Sequence, residues 1–168
     1  MKSWLLKTLF LFNFAILCCL GCSLFGGGES KIQRAESYDL SAPAQWKQKS
    51  AKGDSDRAYQ LPSGNTVSVT SVCDRTKDAS LKVLTRQILI GTRNVKVIEE
   101  QDLLIPEGSG LFTSIKASSE GTPFYLGIAV VKKLDCVFDF SLVSQKPMNK
   151  EEQKDFLRFV KSIQYGTH

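Results

Sequence analysis

Five cysteines, one histidine and a few acidic pairs carry most of the chemistry open to this 168-residue chain. The cysteines are Cys18, Cys19, Cys22, Cys73 and Cys136. A thiol just behind a basic, then apolar, N-terminal stretch is placed for acylation, and an even pair further along an exported domain is placed for oxidation to a disulfide. The only histidine is the terminal His168, where chains fray. Ser-His-Asp, Cys-His and multi-ligand zinc sites therefore each lack a part. Neither a Gly-x-Ser-x-Gly elbow nor a Ser-x-x-Lys motif occurs. Asp54-Ser55-Asp56 and Glu99-Glu100-Gln101-Asp102 fall short of a calcium loop, which needs a longer series of oxygen ligands, a glycine and a closing Glu. They read as solvated turn or strand-edge residues. An acid–base enzyme remains conceivable if Asp135 and Asp139 converge in a cleft with raised pKa values. The leading expectation is no catalytic residue, no metal and no enzyme.

The elements that position these residues begin with an export signal. Lys2 and Lys7 make a positive tip, and residues 8–20 carry no charge, with Asn13 the one strongly polar interruption. A spanning helix needs about 20 apolar residues, and this run is shorter and gives way to Gly26-Gly27-Gly28-Glu29. Leu20-Gly21-Cys22 resembles the lipobox of bacterial lipoproteins, although Cys19 stands where that family usually has Leu. The resemblance implies cleavage between Gly21 and Cys22, with a diacylglyceryl group and an N-acyl chain such as palmitate on Cys22 as the only attached groups. Ser23 resembles the residue found there in lipoproteins released to the outer membrane, so the resemblance implies a membrane-anchored, periplasm-facing protein, on the outer rather than the inner membrane of a cell that has both.

Removal of residues 1–21 leaves about 150 residues, the size of one domain. It also takes two lysines from a net charge of +5. That modest surplus, with no basic run interleaved with aromatics, gives no reason to expect nucleic-acid binding. Cys18 and Cys19 leave with the signal and Cys22 takes the lipid. Cys73 and Cys136 remain as a disulfide pair or as two buried thiols, the disulfide being favoured in an exported protein. Residues 22–36 are Gly-rich and polar and read as a lipidated tether. The folded domain is expected over 37–168.

Within it, Tyr38-Asp39-Leu40 reads as a short strand before a turn at Pro43 to Trp46. Residues 57–61 and 66–73 alternate around Pro62-Ser63-Gly64-Asn65, a hairpin signature. Asp78 is the expected cap of a helix over 79–90, ended by Gly91. Extended segments follow at 95–105, 110–118, 123–132 and 136–144, with Lys132-Lys133 in a turn. Phe124 to Val131 is apolar on both parities and reads as central, the segment before it as more peripheral. Asn149 opens a last helix with Phe156, Phe159, Val160 and Ile163 on one face. Trp46, Tyr59 and Tyr125 are candidates for a ligand or partner surface, with core filling as the alternative. The fold class expected is α+β: a mainly antiparallel sheet between α-helices.

Tyr38-Asp39-Leu40-Ser41-Ala42-Pro43-Ala44-Gln45-Trp46, the central 78–91 helix and the closing Phe156-Leu157-Arg158-Phe159-Val160-Lys161-Ser162-Ile163 resemble the family containing the photosystem II protein PsbP, the Ran-binding import factor of the same fold and small bacterial lipoproteins. The resemblance implies a PsbP-like α/β/α sandwich that binds proteins or serves larger assemblies. It carries over no catalytic residue. The function expected is a lipid-anchored accessory or binding domain for an envelope protein, with a small-molecule or lipid carrier as the alternative.

Overall fold

A computed structural model describes residues 32–73 and 79–166. Gly21, Cys22, Asp78 and His168, to which the sequence assigned roles, lie outside the described residues. The unit Ile32–His168 is compact. Its strands are β1 (Lys47–Lys49), β2 (Arg57–Gln60), β3 (Thr66–Cys73), β4 (Arg93–Leu103), β5 (Gly108–Ser119), β6 (Thr122–Lys133) and β7 (Cys136–Ser144). Two helices accompany them among the described residues, α1 (Leu81–Ile88) and α2 (Lys150–Lys161).

The strands form one sheet in the order β1-β2-β3-β7-β6-β5-β4. All six pairings are antiparallel; five join consecutive strands through connections too short for a parallel crossover, which takes about a dozen residues or more, and the β3–β7 pair joins strands far apart in the chain. The β2–β3 turn uses Gly64 at φ +86°, a left-handed conformation that glycine enters without steric cost. The β6–β7 turn bends at Leu134, also at positive φ.

Alternation along the central strands splits the core. Phe138, Phe140 and Leu142 of β7 join Val67 and Val69 of β3, Phe112 of β5, and Phe156, Phe159 and Val160 of α2. The other parity of the same strands supplies Val137, Ile128, Val130 and Ile115, which cluster with Leu84 of α1. Each helix thus packs with its own set of strand residues. Asn149 caps α2 by accepting the Glu152 N–H at 2.9 Å, as the sequence implied, with Glu151 and Glu152 in the first turn and Arg158 and Lys161 in the last, an order that suits the helix dipole.

Several boundaries differ from the sequence reading. Ser80 is the N-cap of α1. Tyr38-Asp39-Leu40 is no strand; Asp39 makes an isolated bridge to Gln164, and the first strand is Lys47–Lys49. The folded unit begins at Ile32, inside the segment read as tether, because Cys73 donates its N–H to Gln33 and Ala35 donates to Ser71 Oγ. Those bonds tie a polar segment whose composition alone reads as linker. β5 is buried along most of its length rather than peripheral, since β4 flanks it on its outer side.

Cys73 and Cys136 are directly opposite in the β3–β7 register, with Cα atoms 4.0 Å apart, and they are joined as a disulfide. Both are buried, and Cys136 Sγ contacts the Tyr165 hydroxyl at 3.2 Å. The bridge closes a loop of 63 residues, for which chain-entropy reasoning gives about 4 kcal/mol. Denaturant unfolding with and without reductant should differ by roughly that amount; coincident midpoints would show that the bridge contributes nothing.

Candidate functional site

The aromatic candidates part company. Trp46 and Tyr59 are 7% and 6% exposed and stack around Phe159, at centroid distances of 5.1 and 5.2 Å. They belong to the core, not to a binding surface, because α2 lays its apolar face over them. Tyr125 keeps partial exposure and lies beneath the Lys116 ammonium, 5.8 Å from its ring centre. Its register partner on β7 is Ser144, which places it at the end of the sheet where a wide concavity opens.

That concavity is an open groove of about 870 Å³. It is built from three chain reversals: the β2–β3 turn at Ser63 to Thr66, the start of β6 at Thr122 to Phe124, and the segment after β7 from Gln145 to Asn149. Two of the three walls are fixed by local contacts. Asn65 donates its side-chain amide to Glu152 of α2 at 3.0 Å. Ser144 Oγ donates to the Lys146 carbonyl at 2.7 Å and accepts the Lys146 N–H at 3.2 Å. Gly127 lets the third wall sit down on the sheet, since a Cβ there would lie 3.1 Å from Met148 Cε and Sδ. Backbone amides, hydroxyls, Lys146 and Glu152 alternate with Pro123, Phe124, Val143 and Pro147 along the lining. An open groove of mixed polarity suits an extended peptide segment better than a buried small molecule.

The groove and the disulfide mark opposite ends of β3 and β7. Thr66 and Ser144 lie at the groove end, Cys73 and Cys136 at the other, and seven residue steps separate the ends by about 23 Å. Gln33, one residue into the folded unit, bonds at Cys73.

The acidic clusters have structural employment. Asp56 accepts the Ser71 N–H at 2.6 Å and the Tyr38 hydroxyl at 3.3 Å, and Arg34 reaches both Asp54 and Asp56, at 3.7 and 3.9 Å. Burial, and after it the Asp56 charge, raises the Tyr38 pKa above the ordinary phenol range. Lys82 holds Glu100 at 2.7 Å, and Gln153 donates to Glu99 at 2.8 Å. Among the described residues, no group of three or more His, Cys, Asp and Glu is placed to hold a metal. Lys132 and Lys133 end strand β6 rather than forming a turn; Lys133 is buried and donates to the Pro106 carbonyl at 3.2 Å.

Asp135 and Asp139 do not form a pair. Asp135 is in the β6–β7 turn, whereas Asp139 sits mid-strand between Thr70 and Val130. Its Oδ1 is buried without a hydrogen-bond partner among the described residues. Burial pushes the Asp139 carboxyl from 3.8 up to about 6.

The likeness to known proteins is one of fold. No family model matches the sequence, and no curated protein matches it. Among solved structures, the cyanobacterial PsbP (CyanoP) of Synechocystis superposes with a TM-score of 0.58 at 12% identity, over 83% of this chain and 95% of its own. A Bacteroides thetaiotaomicron protein gives 0.53 at 12% identity, over 81% of this chain and 47% of its own. A Pseudomonas aeruginosa protein of unknown function gives 0.50 at 12% identity, over 83% and 89%. The fold is therefore PsbP-like: a mostly antiparallel seven-stranded sheet with two helices.

The groove escaped the sequence reading because its walls are distant in sequence and meet only through strand order. Pro62-Ser63-Gly64-Asn65 was legible as a turn, but not as one wall of a site.

Asp139 makes a sharp pH signature. Its folded pKa lies above the unfolded value of about 3.9, so the folded state holds the proton through the interval between them. Stability from this group is fully present below the unfolded pKa and is lost as pH rises through about 6. Asp139→Asn should therefore stabilise the protein at about pH 7.5 by on the order of 1–3 kcal/mol and change little at about pH 4. Urea midpoints of the two proteins at both pH values check this, and an equal gain at each pH would refute the buried-carboxylate account.

Proposed function

We propose that this chain is a cell-envelope lipoprotein, held to the membrane by diacylglyceryl and N-acyl groups on Cys22, whose PsbP-like α/β/α sandwich binds an envelope protein without catalysing a reaction. The observation that carries this reading is the open groove at the sheet end opposite Gln33. A domain tethered through its N-terminus at the disulfide end turns that groove away from the point where the tether joins it. The carrier alternative asks for an apolar chamber, whereas Phe112, Phe138, Phe140, Phe156 and Phe159 fill the space between sheet and α2 with fully buried side chains. The employment of Asp54, Asp56 and Glu100 in ion pairs leaves them poorly placed for acid–base work. No helix among the described residues is long and apolar enough to cross a membrane. Ser23 favours the outer of two membranes.

Two outcomes test the two halves of the proposal. Cells fed labelled palmitate should incorporate it into the wild-type protein and not into Cys22→Ala; label retained in the variant removes the anchor assignment. A photo-crosslinking amino acid at Gln145, in the groove, should trap a defined envelope protein that the same probe at the exposed Val83 on α1 does not trap. Equal trapping at both positions, or none at Gln145, argues against the groove as the binding site.

A further inference from the structure

The sheet has two edges, and they are treated very differently. β1 is three residues long, fully exposed, with a lysine at each end, which suppresses strand addition by brevity and charge. β4 is eleven residues long, and its first eight residues are exposed. Val95, Val97 and Ile98 present 43, 54 and 56% of their surface to solvent. A long edge strand with exposed apolar side chains is a template for another strand.

The charges of β4 are divided by sign. Arg93 and Lys96 precede Val97-Ile98, and Glu99, Glu100 and Asp102 follow. A register shift between Val97 and Glu99 then has a specific consequence. Lys96 pairs with Lys116 and Glu99 with Ser114, two residues apart on β5, so Lys96 and Glu99 lie on the same face of the sheet. In an unbulged strand, residues three apart face opposite sides. Lys96 has no ion-pair partner among the described residues, and Glu99 accepts only from the neutral Gln153 amide.

We propose that β4 associates antiparallel with β4 of a second copy of this chain, about a two-fold axis near Val97 and Ile98. Reversal about that axis sets the basic half of each strand against the acidic half of the other. It brings Lys96 opposite Glu99 of the second copy, twice, with Val97 and Ile98 buried between them. The contact is isologous and closes on itself, so it ends at a dimer. The bulges that make β4 a poor template for an arbitrary strand are carried by the second copy at the same distance from the axis. A parallel neighbour would meet like charge with like.

The test uses charge exchange in the full chain, purified in mild detergent and followed by sedimentation velocity and light scattering. Wild type should show a concentration-dependent dimer. Lys96→Glu and Glu99→Lys, both at exposed positions, should each weaken it at least tenfold, because each creates two like-charge contacts. An equimolar mixture of the two variants restores opposite charges at both contacts and should recover dimers, as should the double exchange in one chain. Circular dichroism distinguishes a folded monomer from an unfolded variant. A wild type that stays monomeric at about 100 µM, where any contact with a micromolar Kd would be populated, overturns the proposal. So does a dimer indifferent to both single exchanges, or a mixture that fails to associate.

Discussion

The β3–β7 register is the constraint on which the rest of the structure depends. β7 is the middle strand of the seven, and its eight pairings with β3 run from Thr66 opposite Val143 to Cys73 opposite Cys136. Because the side-chain period of a strand is two, a slip of one residue would carry Phe138, Phe140 and Leu142 from the α2 side to the α1 side and send Val137 and Asp139 the other way. The hydrophobic pattern already opposes that slip. The Cys73–Cys136 bridge makes it covalently impossible, since the two half-cystines are themselves register partners. The bond thus does more than shorten the unfolded chain: it selects which set of residues each helix can meet.

That selection produces unequal faces. On one side, α2 covers a broad aromatic layer that reaches from Trp46 and Tyr59 to Phe112. On the other, the eight-residue α1 packs over β5 and β6. The neighbouring positions on that same side, Ser68 and Thr70 of β3 with Asp139 and Ser141 of β7, are polar and only partly buried. Beyond the reach of α1, side chains that keep contact with water cost less than a continuation of the valine and isoleucine layer would in exposed apolar surface. Asp139 lies at the boundary, one step from Val130 of the covered layer, and its raised pKa is the electrostatic record of that position.

Much of this was legible in the sequence, and the exceptions have common causes. Parity alone placed Cys73 with Val67 and Val69, and Cys136 with Phe138, Phe140 and Leu142. Period and capping placed the start of α2 at its N-cap, Asn149. Trp46 and Tyr59 were ambiguous because an aromatic residue serves a core or a surface equally well, and only the approach of Phe159 decides. The bond from Cys73 to Gln33 could not be inferred from composition, since backbone pairing leaves no mark on side-chain type. The bulges in β4 were equally hidden, because a shifted register changes which residues share a face without changing their identity. The groove needed the strand order itself, which sequence patterns do not contain.

The antiparallel sheet also sets the start of the described chain and the groove at opposite rims. Every strand ends at one of two rims, and the two are built differently. The rim with Cys73 and Cys136 receives Gln33 and is held by covalent bond, by Asp56 and by Arg34. The opposite rim, about 23 Å away along the strands, carries the three reversals that shape the groove. The groove walls are pinned within the domain, by Asn65 to Glu152 and by Ser144 to Lys146. On the lipid-anchored reading proposed above, recognition requires a groove braced within the domain itself, because the anchor would fix where the domain is but not how it is turned.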